Sequence, residues 1–471
     1  MSVTAAAPGA ALQTVRDPLA LALDRAAGAR PIEGNRLQHF ADSPRALDAM
    51  LAAIADARRW VHFENYIIRD DATGRRFAAA LADRARAGVR VRVLYDALGS
   101  FGTSRKFWRR LVQAGVAVRA FNPLLTLRPY ELVSRDHRKL VVADGGWAMV
   151  GGLCIGDEWA GDPARGRRPW RDTMVAVTGP AAAAFDGAFA RLWDRAGGPL
   201  PPDELDADPA PAGGSSVRVV EGVPGRARVY RAVELLVASA AERLWITDAY
   251  LIPPAPLYAS LLDAAKSGVD VRLLVPGATD LPVVRNFTRV GYRQLLRAGV
   301  RVYEYQGPMI HAKTMLVDRR WARVGSSNLN VSSLLSNYEL DLAAECEQLT
   351  EELARQFRHD LTQSSEIVLQ PRRMRLPPRL VGEEPAQGDP THNRSGYELG
   401  AVAVVAFRRV AGGLRRAMAV TGTVGFTVVG ALLLAFPRVA GIVLAAGSFS
   451  LALAFALYAF ERRRTRESDD G

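Results

Sequence analysis

Cysteine is almost absent from this chain of 471 residues, which contains only Cys154 and Cys346. Two cysteines form neither a disulfide framework nor a tetrahedral zinc site, so nothing demands an oxidising compartment. The amino terminus also lacks a basic region followed by a strong apolar block, and we therefore expect no cleaved signal peptide. These absences favour a reducing, cytosolic environment.

Compositional bias is lacking as well. Apolar residues make up 49% of the chain and charged residues 23%, which is typical of globular proteins and excludes collagen-like and largely disordered chains. The length predicts two or three folded units. Against 49 Asp and Glu stand 61 Lys and Arg, a net charge of +12. This surplus favours an anionic partner: nucleic acid, anionic lipid or a phosphorylated substrate.

An internal repeat is present from about residue 44 to 345. The stretch ALDAMLAAIADARRWVHFENYII is typical of an amphipathic helix followed by a buried strand, and it recurs as YRAVELLVASAAERLWITDAYLI. Further matched pairs are RARAGVRVRVLYDALGS with AAKSGVDVRLLVPGATD, and LVQAGVAVRAFNP with LLRAGVRVYEYQG. Helices and strands that alternate on this scale predict an α/β fold of two similar lobes related by a pseudo-twofold axis.

Two stretches without hydrophobic periodicity divide the chain. Residues 196–216 are rich in Pro, Gly and acidic side chains and predict a linker between the lobes. A second linker, 371–399, follows the repeat. The other predicted units are an N-terminal segment (1–36), the two lobes (37–195 and 217–370), a basic amphipathic stretch with a membrane hairpin (400–464) and a polar tail (465–471).

Each lobe carries one copy of the motif H-x-K-x4-D-x6-G-[GS], with identical spacing. Residues two apart on a strand share a face, so each copy places an imidazole and an ammonium side by side. One such pair is commonplace, but two copies in a duplicated scaffold favour a functional site. The candidate residues are His137, Lys139, Asp144 and Gly152 in the first lobe, and His311, Lys313, Asp318, Ser326 and Asn328 in the second.

Two facing histidines suit phosphoryl transfer. One imidazole could attack phosphorus and give a phosphohistidine, while the other protonates the leaving alkoxide and later deprotonates the acceptor. Cations would stabilise the non-bridging oxygens, and Ser326 and Asn328 could bind the same oxygens.

Such histidines need carboxylates that fix the tautomer and stabilise the imidazolium. Asp172 follows the histidine of the first motif by 35 residues, and Glu339 follows that of the second by 28. Sequence order pairs each carboxylate with the histidine of its own lobe. For Asp144 and Asp318 two alternatives stay open, namely contact with the site and stabilisation of a turn through backbone hydrogen bonds. We expect His62, in a predicted buried strand, to be a packed histidine.

The paired motifs resemble those of the phospholipase D superfamily over roughly residues 35 to 370. More narrowly, RDHRKLVVADG, GNRLQHF, FENYIIRDDATG, VLYDALGS, WRDTMVAVTGP and SSNLNVSSLLSNYELDL are similar to the bacterial cardiolipin synthases of that superfamily. The resemblance implies a bilobed α/β/α sandwich without metal or other cofactor, and phosphatidyl transfer through phosphohistidine. It implies His137 as nucleophile, His311 as general acid and base, and Lys139, Lys313 and Asn328 as phosphate ligands. The near symmetry also permits the opposite assignment of the two histidines.

One position departs from the family pattern. Where that pattern usually continues G-G-x-N, this chain has Cys154, which matches Asn328 in the other lobe. A thiol is a weak hydrogen-bond donor, so we expect one phosphate contact to be weakened or to come from elsewhere. Cys154 as a second nucleophile is the less favoured alternative, because the histidines fill that role.

Two long uncharged segments lie near the carboxy terminus. Residues 417–436 and 439–460 contain 20 and 22 residues, each enough to cross a hydrocarbon core of about 30 Å. We expect a transmembrane helical hairpin, with a re-entrant hairpin and a buried soluble hairpin as alternatives. Arginines flank both ends and predict that these ends and the lobes lie on the cytoplasmic side of a bacterial inner membrane.

The sequence thus predicts a membrane-anchored phosphatidyltransferase that makes cardiolipin from anionic phospholipids, with phosphatidylglycerol as acceptor. The first alternative is a phospholipase D, in which water resolves the intermediate and phosphatidic acid results. The second is a nuclease of the same superfamily. A nuclease needs no hydrophobic hairpin, and we expect no nucleic-acid partner.

Overall fold

The structure is a computed structural model that describes residues 17–123 and 134–369. The predicted second linker, membrane hairpin and polar tail lie outside these residues. Residues 1–16 of the predicted N-terminal segment also lie outside them. None of the helices in the two described ranges has the length and apolarity needed to cross a membrane.

Strands and helices alternate along most of the described chain. The strands of the first half are β1 (Ile32–Phe40), β2 (Trp60–Asn65), β3 (Arg90–Asp96), β4 (Ala117–Phe121), β5 (Lys139–Ala143), β6 (Trp147–Gly151) and β7 (Met174–Thr178). Those of the second half are β8 (Ser215–Gly222), β9 (Arg243–Thr247), β10 (Asp270–Pro276), β11 (Arg301–Tyr305), β12 (Thr314–Val317), β13 (Trp321–Gly325), β14 (Glu339–Glu345) and β15 (Ser364–Ile367).

The helices are α1 (Pro18–Ala27), α2 (Ser43–Asp56), α3 (Ala72–Arg86), α4 (Arg105–Gln113), α5 (Asp157–Ala160), α6 (Pro180–Arg195), α7 (Arg228–Ala238), α8 (Ala255–Lys266), α9 (Pro282–Ala298) and α10 (Glu347–Thr362). Several begin at a side chain that accepts a hydrogen bond from a backbone N–H of the first turn, as Asp42, Asp71 and Ser104 do for α2, α3 and α4. Such caps satisfy amides that have no partner within the helix.

The strands form one mixed sheet, ordered β15-β11-β10-β9-β12-β13-β14-β8-β1-β7-β6-β5-β2-β3-β4. Read outward from the antiparallel β1–β8 pair, the two halves have the same order, and β15 is an addition at one edge. This confirms the predicted α/β class. It also means that the two halves are joined through the sheet itself, because each half contributes its first strand to the junction.

Successive side chains along the strands point to opposite faces of the sheet. They thereby contribute in turn to a central core and to one of two outer cores. On β5, Leu140 and Val142 belong to the central core, whereas Val141 and Ala143 face an outer core with residues of α2, α3 and α4. This is the period of two expected for a sheet covered on both faces. The central core also takes side chains of α6 and α10, so it is shared by both halves.

The described part of the predicted N-terminal segment packs with the lobes. Leu23 and Ala27 of α1 lie in the outer core of the second half, and Asp24 forms an ion pair with Arg218 of β8 at 2.7 Å. β1 begins at Ile32, so the end of the predicted N-terminal segment (1–36) already belongs to the sheet. In the predicted interlobe linker, Glu204 is fully buried and hydrogen-bonded to a side chain of β3, so this stretch also packs against the first half.

The motif aspartates Asp144 and Asp318 occupy the turns after β5 and β12. Both have left-handed backbone conformations, with φ of 53° and 54°. The Asp144 carboxylate accepts hydrogen bonds from the backbone N–H groups of residues 58–60 at 2.7 to 2.9 Å. That of Asp318 accepts from residues 241–243 at 2.8 to 3.2 Å. Each aspartate therefore ties its turn to the start of the neighbouring strand.

Asp318→Ala should lower the free energy of unfolding by about 2 to 4 kcal/mol. The change removes the acceptor of three backbone N–H groups. It also places alanine at a positive φ, a backbone conformation that alanine adopts only with strain. Asp318→Asn is the control, because asparagine tolerates this conformation and keeps one oxygen, and it should lose less than half as much. Equilibrium urea unfolding followed by tryptophan fluorescence measures both. Equal losses for the two variants would contradict this role of the carboxylate.

Candidate active site

The two motif histidines lie where the halves of the chain meet. The backbone N–H of His137 donates to the carbonyl oxygen of Tyr338 at 2.9 Å, and that of His311 donates to the carbonyl oxygen of Arg171 at 2.7 Å. Each acceptor belongs to the opposite half and directly precedes a candidate carboxylate. The backbone itself thus sets the position of each histidine relative to the other half.

The carboxylates cross between the halves. His137 Nδ1 lies 3.1 and 3.0 Å from the two carboxylate oxygens of Glu339, and His311 Nδ1 lies 2.8 Å from Asp172 Oδ2. The expected pairing of each carboxylate with the histidine of its own lobe is therefore wrong. The reason is tertiary: the segments entering β7 and β14 are hydrogen-bonded to the opposite half, and they carry Asp172 and Glu339 there.

Burial controls the protonation of these pairs. Burial lowers the pKa of His137, and burial together with the charge of Lys313 lowers that of His311 to about 4. Burial would by itself raise the pKa of Glu339 and Asp172. Hydrogen bonds from the histidines and the charges of the buried lysines outweigh it, so the pKa of Glu339 is lowered and that of Asp172 lies at about 2.

Both imidazoles are thus neutral near pH 7 and both carboxylates are ionised. An ionised carboxylate can only accept hydrogen bonds. The proton of each neutral imidazole is therefore placed on Nδ1, the nitrogen that faces the carboxylate, which leaves the lone pair on Nε2. This is the form in which a histidine can act as a nucleophile or a base.

Lys139 and Lys313 are fully buried beside the histidines. Each ammonium donates to the backbone carbonyl of the histidine two residues before it. Lys313 Nζ also lies 2.9 Å from His311 Nδ1, a contact that Lys139 does not make with His137 among the described residues. Burial and the charge of Lys139 lower the pKa of Lys313 to about 8. Two partly desolvated cations in one place suit an anionic phosphate.

Ser326 and Gly152 occupy matching positions with different consequences. Ser326 Oγ donates to Glu339 Oε2 at 2.5 Å and accepts the backbone N–H of Leu340 at 2.9 Å, so this hydroxyl orients the carboxylate. At Gly152 a β-carbon would lie 2.2 Å from Asp172 Oδ1. Glycine is therefore required for Asp172 to approach, and a serine like that of the second half does not fit.

Asn328 and Cys154 are also matched and buried, with 3% and 1% exposure. The Asn328 side-chain oxygen has no hydrogen-bond partner within the described ranges, so part of its hydrogen-bonding capacity is free for a ligand. Burial raises the pKa of the Cys154 thiol, which keeps it protonated and argues against the alternative that it is a nucleophile.

Asp144 and Asp318 are not part of this centre. Their carboxylates accept the backbone amides described above, which favours the turn-stabilising alternative over contact with the site. His62 is fully buried, with Nδ1 bonded to Asp186 and Nε2 3.3 Å from Glu204, which confirms the expectation of a packed histidine. Within residues 17–123 and 134–369, no group of three or more His, Cys, Asp and Glu side chains is arranged to hold a metal ion.

Aromatic side chains that sequence reasoning missed line the two histidines. The ring of Tyr66 meets His137 edge-on with centroids 4.9 Å apart, and that of Tyr250 meets His311 at 5.9 Å. Trp159 Nε1 donates to the carboxylate that binds His311, at 3.1 Å. The two tyrosines occupy matching places in FENYII and TDAYLI, so the repeat carried a signal for them, whereas Trp159 has no such counterpart.

The crossed pairing predicts which histidine each carboxylate controls. In protein labelled with ¹⁵N-histidine, Glu339→Gln should shift the ring-nitrogen resonances of His137 and leave those of His311 nearly unchanged. Asp172→Asn should do the reverse. The variants His137→Asn and His311→Asn assign the signals. A shift of His137 on Asp172→Asn, without one on Glu339→Gln, would contradict the crossed arrangement.

Anion binding should be linked to proton uptake. Burial lowers the pKa of both histidines, and an anion next to them should raise it again, so at pH 6 up to about one proton should be taken up on binding. Sulfate is a suitable probe, since it does not titrate near this pH. Calorimetry in two buffers of different ionisation enthalpy measures the uptake, which His311→Asn should reduce. Identical heats in both buffers would contradict the expectation.

Comparison with known proteins identifies the family of this chain. Residues 50–193 and 234–361 match the family model described as cardiolipin synthase, PLD-like domain. Cardiolipin synthase A of Pseudomonas aeruginosa is 35% identical over 349 residues, which are 73% of this chain and 70% of that protein. Cardiolipin synthase of Halalkalibacterium halodurans is 35% identical over 324 residues, which are 67% of this chain and 64% of that protein.

A solved structure shows the same fold. The crystal structure of phosphatidylserine synthase from Haemophilus influenzae superposes with a TM-score of 0.61 at 14% sequence identity, and the match covers 74% of this chain and 92% of that one. The family model covers more than half of the chain, and both halves of the site fall within it. The chain belongs to the cardiolipin synthase family of phospholipase D-like proteins.

Proposed function

We propose that this protein is a membrane-anchored phosphatidyltransferase that makes cardiolipin, with phosphatidylglycerol as acceptor, through a phosphohistidine intermediate. The observation that carries the proposal is the pair of buried histidines, each held through Nδ1 by a carboxylate of the opposite half, beside two buried lysines. The family of the chain supports the same activity.

The substrate phosphate would be bound by Lys139, Lys313 and Asn328. The two buried ammonium groups would donate to the non-bridging oxygens, and the side-chain NH2 of Asn328 would donate a further hydrogen bond. Interactions of this kind gain strength where water is excluded. Ser326 is bound to Glu339 and acts as a positioning residue.

In the first step Nε2 of one histidine attacks phosphorus of a phosphatidylglycerol. The N–P bond forms, the P–O bond to the glycerol headgroup breaks, and the second histidine, protonated on binding of the diester, gives its proton to the leaving oxygen. The carboxylate at Nδ1 of the nucleophile stabilises the positive charge that develops on the phosphorylated ring.

In the second step the neutral second histidine removes the proton from a hydroxyl of another phosphatidylglycerol. That oxygen attacks phosphorus and the N–P bond breaks, which gives cardiolipin and restores the nucleophile. The products are one cardiolipin and one glycerol for two phosphatidylglycerols, so atoms and charge balance.

One contact of His311 supports a division of roles between the two histidines. Lys313 lies against Nδ1 of His311 and lowers the pKa of that ring, which makes its protonated form a stronger acid. His137 has no such neighbour at its ring among the described residues. We assign His137 as the nucleophile and His311 as the general acid and base, in agreement with the family resemblance.

The membrane part of the proposal rests on the sequence. The uncharged segments 417–436 and 439–460 would anchor the chain in the inner membrane as a hairpin. The arginines that flank them would keep the lobes on the cytoplasmic side. Substrate and product then remain in the bilayer throughout the reaction.

Reconstitution with phosphatidylglycerol tests the activity. Lipid products followed by mass spectrometry should be cardiolipin and glycerol in equal amounts. His137→Asn and His311→Asn should each slow the reaction by about 10²-fold or more. His359→Asn, which changes an exposed histidine of α10, is the matched control and should have no effect.

Phosphatidic acid as the sole product would contradict the transferase and identify a hydrolase. Salt-sensitive binding of DNA without any lipid product would contradict both lipid activities and favour the nuclease alternative.

A further inference from the structure

We propose that two exposed segments beside the active site dock the catalytic region onto an anionic phospholipid bilayer. We call residues 97–110 the first rim segment and residues 281–297 the second rim segment. The first follows β3 and the second follows β10, the matching strand of the other half. The inference deepens the proposed function and rests on it, because it supposes that the substrate lies in the membrane.

The first rim segment combines exposed apolar and cationic side chains. Phe101 is 73% exposed and Leu98 is 48% exposed, although both side chains are large and hydrophobic. The segment has no Asp or Glu, and its four cations are exposed: Arg105, Lys106, Arg109 and Arg110. Exposed hydrophobic residues close to exposed cations are typical of surfaces that enter the headgroup region of an anionic membrane.

The second rim segment repeats this composition with an unrelated sequence. Phe287 and Val290, three residues apart on α9, are 64% and 69% exposed, and Leu281 before the helix is 47% exposed. Its charged residues are all arginines, at positions 285, 289, 293 and 297. Arg293 and Arg297 are exposed, whereas Arg289 is paired with Glu304 at 2.6 to 2.7 Å. Two matching places in a duplicated fold therefore both combine exposed apolar side chains with exposed cations.

Strand direction places the first rim segment at the active-site edge of the sheet. β3 is parallel to β2, and β2 is antiparallel to β5 with Asn65 opposite Lys139. The ends of β2 and β3 therefore lie at the edge where β5 begins with its catalytic motif. Contacts agree: Ser100 Oγ donates to the carbonyl of Tyr66 at 3.1 Å, and the Tyr66 ring packs on His137.

The second rim segment has the corresponding position in the other half. β10 is parallel to β9, and β9 is antiparallel to β12 with Thr247 opposite Thr314. Just before the segment, Asp280 accepts a hydrogen bond from the Tyr250 hydroxyl at 2.8 Å, and the Tyr250 ring packs on His311. Because the two histidines belong to one site, both rim segments lie beside that site.

A lipid bilayer fits this surface better than a macromolecular partner does. Nucleic acid would engage the cations but leave Phe101 and Phe287 without a role. Two separate segments of one composition, on the same edge of the fold, suit a laterally uniform surface that is negative at the headgroups and apolar beneath. Docking there would bring lipid phosphates to the histidines without removing the lipid from the membrane.

Site-resolved quenching tests the contact. The full chain, with Cys346→Ser to remove the less buried thiol, receives a bimane label at Phe101→Cys, Phe287→Cys or Val112→Cys. Val112 is the matched control, because it is 56% exposed near the opposite end of α4. Vesicle binding alone is not informative, since the apolar carboxy-terminal segments are expected to bind lipid by themselves.

In phosphatidylglycerol vesicles that contain acyl-chain spin-labelled lipid, the labels at 101 and 287 should be quenched and shifted to the blue, and the label at 112 should not. Quenching should decrease when phosphatidylcholine replaces phosphatidylglycerol, because the cations then lose their counter-charge. Absence of quenching at 101 and 287, or equal quenching at all three positions, would overturn the inference.

Activity on two forms of one substrate separates docking from catalysis. The double variant Phe101→Ser, Phe287→Ser should lose about tenfold or more of its rate on phosphatidylglycerol in vesicles, because it lacks the two apolar side chains that would enter the bilayer. It should keep its rate on short-chain phosphatidylglycerol below the micelle concentration. Val112→Ser should change neither rate.

The outcomes distinguish the two proposals. If the wild-type chain forms cardiolipin from neither substrate, the proposed function fails, while the quenching result still decides the docking surface. If the wild type uses both substrates and the double variant loses neither rate, or loses both equally, the docking inference is overturned.

Discussion

Two hydrogen bonds that cross between the halves of the chain, from His137 to Glu339 and from His311 to Asp172, are the constraint on which the site depends. Imidazoles, carboxylates and lysines would each be costly to bury alone. Here the negative charges of the two carboxylates offset those of the two lysines. Neither half contains a complete set, because each histidine finds its carboxylate only in the other half. The site is therefore complete only where the two halves are in contact.

The charge balance also connects the resting state to the reaction. Two cations and two anions leave the buried centre nearly neutral, and burial keeps both imidazoles unprotonated. A phosphodiester adds one negative charge, which one imidazolium can neutralise. In the proposed mechanism, the proton needed by the leaving group would be taken up when the substrate binds. Lys313 contacts the ring of His311 and lowers its pKa, which distinguishes this histidine from His137 and supports its proposed role as the acid.

The surrounding fold holds the halves in the necessary register. The sheet is continuous through β1 and β8, and α6 and α10 pack into a central core that both halves share. Asp144 and Asp318 act farther away, at the turns after β5 and β12, which are the strands that follow the motif histidines. Gly152 and Ser326 occupy matching backbone positions but interact differently with the nearby carboxylates. One half makes room for a carboxylate and the other half binds one.

Local pattern and repetition predicted the fold class, the histidines and lysines, and the identity of both carboxylates. They did not predict the crossing, because sequence distance favours Asp172 for His137, and only tertiary hydrogen bonds through Tyr338 and Arg171 reverse the pairing. Trp159 was also missed, since it has no partner in the repeat. The composition of the rim segments can be read from the sequence. Their position beside the site depends on strand direction, and the exposure of their side chains depends on packing.

In the mechanism we propose, one composite site transfers the phosphatidyl group in two displacements through a histidine. The most direct test is the stereochemical course at phosphorus, measured with phosphatidylglycerol made chiral at phosphorus by sulfur and an oxygen isotope. Each in-line displacement inverts the configuration, so two successive displacements predict overall retention in the cardiolipin formed. Overall inversion would show a single direct displacement and would contradict transfer through a phosphohistidine.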